Sequence, residues 1–469
     1  MNRLALAALA AVVGALALPS AAAAHGLVGR SDLPIPESLF AAAAATVLVI
    51  SFLALATLWN SPKLERGPVR RLFRVPAWLD VACGAIGVAL FAALVYAGFA
   101  GSQTPTDNIL PTSVYVILWC LLVPVSALLG DVFRAFNPWR AVGRAVGWLI
   151  GRLSRSAPPE PLEYPDRLGR WPAVVGLLAF GWLELIATDG DKPSVLATLA
   201  LVYAAVQLVA MSLYGVETWS RRGDTFGVYF GMFAQLSPLT TDDGHIALRR
   251  PLSGLTQIRW LPGTVVFVCA AIGVTAFDGG SEGDAFNSAR VWMQDVFTGV
   301  GASAPTAFKL AMTLGLVASV ALVAGFYRLG VLGMQSVDPR RQLGELSRRF
   351  AHSLVPIALA YVFAHYFSLV LYQGQAMSYL VSDPLGDGSD LFGTAGAGIN
   401  YALVSASAIW YVQVAALVVG HVAGLVVAHD RALVDFGHTR EAIRSQYWML
   451  AVMVGFTSLG LWLLSEANK

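Results

Sequence analysis

Ten apolar runs set the limits on what this chain can fold into. They lie near 38–59, 77–100, 112–131, 171–188, 196–216, 263–278, 305–328, 353–372, 402–427 and 446–465. A helix rises about 1.5 Å per residue, so roughly 20 apolar residues cross a bilayer core. In hydrocarbon each backbone N–H and C=O must find its partner within the segment, which leaves the helix as the form for such runs. The run 263–278 is short and borrows Trp260-Leu261 or tilts less. The expectation is an all-α fold: a polytopic transmembrane helix bundle of about ten spans, forming one domain over 25–469. Composition agrees, with 57% hydrophobic and only 13% charged residues, where a soluble domain carries about 25% charged. The lipid bilayer is therefore the expected partner. A net charge of +2 gives no support to a nucleic-acid role.

Arginine and lysine set the orientation. Segments 60–76, 132–170, 217–262, 328–351 and 429–445 carry 5, 7, 5, 5 and 3 of them, 25 of the 31 in the chain. Basic loops stay in the cytoplasm. Every second loop is basic, so ten spans with both mature termini outside is self-consistent in a cell (plasma) membrane. The remaining loops are acidic, with Asp278, Glu282, Asp284 and Asp295 in one and Asp383, Asp387 and Asp390 in another. These read as solvated surface or as a cation-attracting vestibule.

The N-terminus reads as a signal peptide over 1–24. Arg3 is the positive region, Leu4 to Leu18 the apolar run, and Ala22-Ala23-Ala24 the cleavage site. Cleavage there frees an α-amino group on His25, and amine plus imidazole form a chelating pair suited to copper. Cys83, Cys120 and Cys269 sit singly in apolar runs and read as small buried hydrophobes.

Two basic segments are long. In 132–170 an arginine-spaced stretch with Ala141, Val142, Ala145, Val146 and Leu149 reads as an interfacial amphipathic helix. Within 224–240 an apolar piece too short to span is expected to lie at the interface or to re-enter between helices. No repeat between halves is readable, and there is no P-loop and no GxSxG elbow.

Ionisable residues inside spans usually face a partner or a cavity. Glu184 lies in the fourth run, His365 in the eighth and His421 in the ninth. The last two runs are consecutive and antiparallel, which brings the imidazoles to within roughly a helical turn in depth. His421 lies between Gly420 and Gly424, a small-residue pair that lets a neighbouring helix approach, and Gln413 shares nearly its face. Tyr361, His365, Tyr366, Gln373 and Gln375 make the richest hydrogen-bonding strip in any run, and Pro356 weakens the helix upstream. His365, His421 and Glu184 suit a divalent metal such as zinc with an open position, and two helical histidines suit haem. No HExxH or comparable spacing accompanies them. His352 and His429 read as interfacial, His245 as a loop residue, and Asp131 and Glu217 as surface partners of Arg134 and Arg221.

Several strings resemble a bacterial family of polytopic membrane proteins known as fenitrothion hydrolases. They are Ala24-His25-Gly26-Leu27-Val28-Gly29-Arg30 with Leu33-Pro34-Ile35-Pro36, Phe136-Asn137-Pro138-Trp139-Arg140, Leu168-Gly169-Arg170-Trp171-Pro172, and Ala364-His365-Tyr366-Phe367-Ser368 with Gln373-Gly374-Gln375. The resemblance runs over nearly the whole chain and implies hydrolysis of an apolar phosphotriester. Such a reaction needs an activated water and a polarised phosphoryl oxygen. His365, His421 and Glu184 are then candidate metal ligands or general base, and Tyr366 and Gln373 candidates to steady developing charge. Two other readings rest on the residues alone: a metal-ion or small-solute transporter, and a haem- or copper-binding subunit with a membrane partner.

Overall fold

The structure, a computed structural model, describes residues 37–65, 67–153 and 160–466. The signal segment 1–24, its cleavage site and His25 lie outside the described residues.

The chain is an all-α helical bundle with one small sheet. Helix α1 (Glu37–Leu58) is followed by strand β1 (Arg70–Arg74) and helix α2 (Ala77–Ala100). Next come α3 (Ile109–Leu129), α4 (Pro138–Leu153), α5 (Trp171–Leu185), α6 (Pro193–Tyr214) and the short α7 (Thr225–Phe233). Strands β2 (Leu239–Asp242) and β3 (His245–Leu248) precede α8 (Thr264–Ser281), α9 (Asp284–Gly299) and α10 (Ala304–Gln335). The long helices α11 (Leu354–Gln373), α12 (Ala406–Asp435) and α13 (Thr439–Glu466) close the chain. Among the described residues eight helices are long and apolar enough to cross a membrane, the one holding α11 running over Leu343–Leu380. Of the ten expected runs, the two outside that set are α5, which has 15 residues, and α13, which opens on Arg440, Glu441 and Arg444.

Local chemistry sets the boundaries. Pro193 opens α6, where its missing N–H is no loss, and Gly215 at φ +85° ends it. The Asn108 side chain accepts from Leu110 N at 3.0 Å and starts α3. Ser405 caps α12 by accepting from Ala408 N. Between Ser113 and Leu121, α3 widens into a π-helix, and Cys120 Sγ donates to Tyr115 O, five residues back, at 3.0 Å.

The bundle turns the pattern of a soluble protein outward. Ile50, Leu53, Val202, Val206, Val209 and Val317 are exposed, as expected of surfaces whose solvent is lipid. Helix α8 is the centre, with 78% of its apolar window buried. It packs against α5, α10 and α11, while α12 lies along α11 and α13 along α1, α10 and α12. The expected close approach at Gly420 and Gly424 is present. A Cβ on Gly420 would stand 2.2 Å from Ala360 Cβ, and one on Gly424 2.9 Å from Ser353 O.

The arginine-rich segments gather at one end. Strand β3 pairs antiparallel with both β1 and β2, so segments 60–76 and 217–262 share a sheet. Asp243-Gly244, both at positive φ, form the two-residue hairpin turn, an Asp-Gly signal the helical reading passed over. Asp430 at the end of α12 accepts from Trp59 Nε1, Lys63 N and Leu64 N, which ties 60–76 to α12. His352 and His429, expected at the inner interface, are fully buried within the protein at this end. Glu217 pairs with Arg134 and Arg140 rather than Arg221. At the other end, Ser102 N donates to Leu385 O, Tyr115 Oη to Gly190 O and Ser194 N to Gln103 Oε1.

The two long basic segments take the forms their patterns imply. Helix α4 packs Ala141 against Gly84 of α2 and exposes Val146, Trp148, Leu149 and Leu153. Helix α7 is buried on nearly every side, with Phe226, Tyr229, Phe230 and Phe233 in the core, so it enters the bundle instead of floating on it.

Candidate acid–base site

The largest departure from the sequence reading is Asp278. It reads as an acid of an outer loop, yet α8 continues through Ser281 and carries it inside the bundle, where its side chain is 1% exposed. The apolar run 263–278 ends on this charge, so hydropathy alone puts it at the outer edge of the span, where it reads as the first acid of the loop.

Two neighbours on α11 converge on this carboxylate. Tyr366 Oη donates to Asp278 Oδ2 at 2.8 Å, and His365 Nε2 lies 2.9 Å from the same oxygen. Consecutive helical residues point about 100° apart, so His365 and Tyr366 straddle the carboxylate from two sides, their rings 4.6 Å apart. With Nε2–H donating, Nδ1 carries the ring's basic lone pair. A cavity of about 20 Å³ lies beside His365, with Thr275, Tyr361, Ala364 and Gly460 among its lining residues. That volume holds one water molecule.

Glu184 joins from α5. A Cβ on Gly181 would meet Val274 of α8 at 2.8 Å. One turn further along these parallel helices brings Glu184 to the level of Asp278, and the two carboxylates interact electrostatically. Glu184 Oε2 is buried without a hydrogen-bond partner among the described residues. Tyr229, carried in by α7, stacks on Trp119 of the π-helical stretch at 4.8 Å and is within electrostatic reach of Glu184. Its hydroxyl is also buried without a partner. The short α7 and the π-helix thus both end on the same polar centre, which neither Tyr229 nor Trp119 announces in the sequence.

The other candidates stand apart. The His421 ring packs against Tyr361 at 6.2 Å and Phe456 at 6.3 Å, and its Nδ1 lies 2.7 Å from Leu417 O. Tyr361 is one turn, roughly 6 Å, from His365 along α11. The His421 ring thus packs on Tyr361 while His365 turns to Asp278. Gln413 Nε2 donates to Ala364 O at 2.8 Å and ties α12 to α11. Gln373 closes α11 two turns beyond His365, and no hydrogen bond joins it to the centre among the described residues. At that end Gln375 accepts from Asn400 N and donates to Leu371 O.

Among the described residues no three His, Cys, Asp or Glu side chains are grouped to hold a metal ion. The His365, His421 and Glu184 set is split between the Asp278 centre and the Tyr361 contact. Of the quoted strings outside α11, the two in the described residues near 136–140 and 168–172 have structural work. Asn137 Nδ2 and Trp139 Nε1 donate to the buried Asp224 Oδ2 at 2.9 and 2.8 Å, and Tyr203 Oη donates to Oδ1 at 2.7 Å. Arg140 bridges Asp80 and Glu217. Gly169 at φ +47° lets Arg170 N reach Pro262 O.

Compared with protein-family models, curated proteins and solved structures, the chain matches none.

Proposed function

We propose that this chain is a plasma-membrane protein of ten spans, both mature termini outside, that exchanges protons at Asp278 and His365 to drive a small solute across the bilayer. The observation that carries this is the buried Asp278 carboxylate, held by the half-buried His365 inside the bundle with Glu184 in electrostatic reach. A charge held at the centre of a membrane helix costs about 3 kcal/mol on insertion scales, and such residues mark ion and proton pathways. An imidazole hydrogen-bonded to a carboxylate has a proton acceptor and a proton donor in contact, which is what a proton-exchanging site needs. The shortened α7 and the widened turn of α3 meet at this site, and breaks in helices are where transporters build sites. The clustering of the basic segments at one end supports their assignment to the cytoplasm. On this reading α5 and α13 are the ninth and tenth spans.

The test is proton flux into proteoliposomes carrying an internal pH dye, after an acid pulse and with a panel of small solutes outside. Wild type is expected to exceed protein-free vesicles and Asp278→Asn to fall to their level. Equal flux through both proteins contradicts the proposal.

A second reading, hydrolysis of an apolar phosphotriester such as fenitrothion, has one specific support. The one-water cavity borders His365, whose Nε2 is held by Asp278. An imidazole oriented by a carboxylate is a general base for a bound water. Tyr366 is then the candidate to steady developing charge. Phosphotriester turnover lost in His365→Ala, with folding intact, distinguishes it.

A further inference from the structure

We infer that Tyr361 and His421 form the path by which protons reach the Asp278–His365 centre from the arginine-rich end of the bundle. The inference rests on the proton-exchanging role of that centre.

His421 is completely buried, and packing alone does not explain it. Its Nδ1 is occupied by Leu417 O, so Nδ1–H donates and Nε2 is left an acceptor. That Nε2 is buried with no hydrogen-bond partner among the described residues. A leucine would fill the same space without an orphaned nitrogen, and a buried orphan calls for an explanation such as a transient partner.

Tyr361 is the neighbouring polar ring. Its hydroxyl donates to Phe456 O at 3.3 Å, long for an O–H···O bond. It is held weakly and is able to turn. Tyr361 also lines the cavity that borders His365. The order along the bundle is therefore the His421 ring, the Tyr361 ring, the one-water cavity, His365 and Asp278. Each hop balances. Tyr361 takes a proton on its oxygen lone pair and passes its own hydroxyl proton to the water. The water does the same toward the His365 imidazole beside it, and His421 is left neutral. Rotation of the hydroxyl and the water resets the file. Inward of His421, Gly424 of α12 lies against Ser353 O, and the adjacent His352 is fully buried, so polar groups continue toward the basic end.

Gly460 completes the geometry. A Cβ there would stand 2.1 Å from Tyr361 Oη, so glycine is what leaves the hydroxyl room to move.

The test uses the full chain in lipid nanodiscs with ¹⁵N-labelled histidine. The His365 ring N–H is assigned by its loss in His365→Gln, and its exchange with water is read by magnetisation transfer. Tyr361→Phe and His421→Leu are each expected to slow exchange at least tenfold, while Asn287→Ala, at the opposite end, leaves it unchanged. Should His421→Leu fail to fold, Tyr361→Phe alone decides. Exchange at the wild-type rate in Tyr361→Phe, or no exchange in the wild type, overturns the path. Failure of the proton-exchange role shows separately, as Asp278→Asn vesicles that pass protons like the wild type.

Discussion

His365 on α11 and Asp278 on α8 meet with 2.9 Å between imidazole nitrogen and carboxylate oxygen, and Tyr366 closes on the same oxygen at 2.8 Å. Three polar groups from two helices thus satisfy one another where lipid surrounds the bundle. Removing the acceptor takes away the hydrogen bond of the buried Tyr366 hydroxyl and the contact of His365 at once, whereas removing the Tyr366 hydroxyl leaves the carboxylate engaged with His365. Asp278→Ala is expected to lower stability by about 2–4 kcal/mol and Tyr366→Phe by about 1 kcal/mol. Thermal unfolding in detergent checks the order. A smaller loss for Asp278→Ala than for Tyr366→Phe contradicts it.

The contact of Gly420 with Ala360 sets how closely α12 lies on α11. A methyl group at 2.2 Å from Ala360 Cβ forces the helices apart. Gly420→Ala is expected to cost about 1–3 kcal/mol. Gly325→Ala, with nothing within 4 Å of the added carbon, is expected to be neutral or slightly stabilising. Equal melting temperatures for the two variants would show that α11 and α12 do not depend on this approach.

Asp224 gathers Asn137, Trp139 and Tyr203 in a fully buried site. Asp224→Ala orphans three donors at once, each worth about 1–3 kcal/mol. The expected outcome is a protein that fails to accumulate in the membrane. Trp139→Phe removes one donor and should accumulate at reduced levels. Normal yield of Asp224→Ala refutes the assignment of the Asn137-to-Arg140 string to structure.

Glu217 supplies a pH dependence. Burial alone would raise its pKa, but the Arg134 and Arg140 guanidinium groups outweigh burial and hold the carboxyl below its ordinary value near 4.5. A carboxyl whose folded pKa is lowered stabilises the fold fully above its unfolded value. That stabilisation fades as pH drops below about 4.5 and through the lowered value. Melting temperature is expected to fall over this acid range in wild type and to fall less in Glu217→Gln. Parallel curves for the two proteins would remove Glu217 as a contributor.

Much of the bundle was legible in the sequence, because membrane helices must satisfy their own backbone and so declare themselves as apolar runs. The amphipathic α4, the short buried α7 and the glycine contact between α11 and α12 followed from the same physics. His365, Tyr366 and Glu184 were legible because ionisable groups in apolar runs are conspicuous. Asp278 was not, since hydropathy drops at the first charge and ends the run there, although the backbone helix continues three residues further. The depth of His421 was legible to about a turn, but its partner was not. Which face of a helix meets which neighbour is set by packing, and that placed Tyr361 against it. The three-stranded sheet went unread because its strands are four or five residues long and β1 pairs with β3 across 176 positions of sequence, Arg71 opposite Ala247.

The proposal that Asp278 and His365 exchange protons together is tested most directly by pH-difference infrared spectroscopy on protein with isotope-labelled histidine. The account predicts that the wild type shows a carboxyl band and a histidine band changing over the same pH range, and that both vanish from the difference spectrum in Asp278→Asn and in His365→Gln. A histidine band that persists unchanged in Asp278→Asn, or a carboxyl band that persists unchanged in His365→Gln, contradicts it.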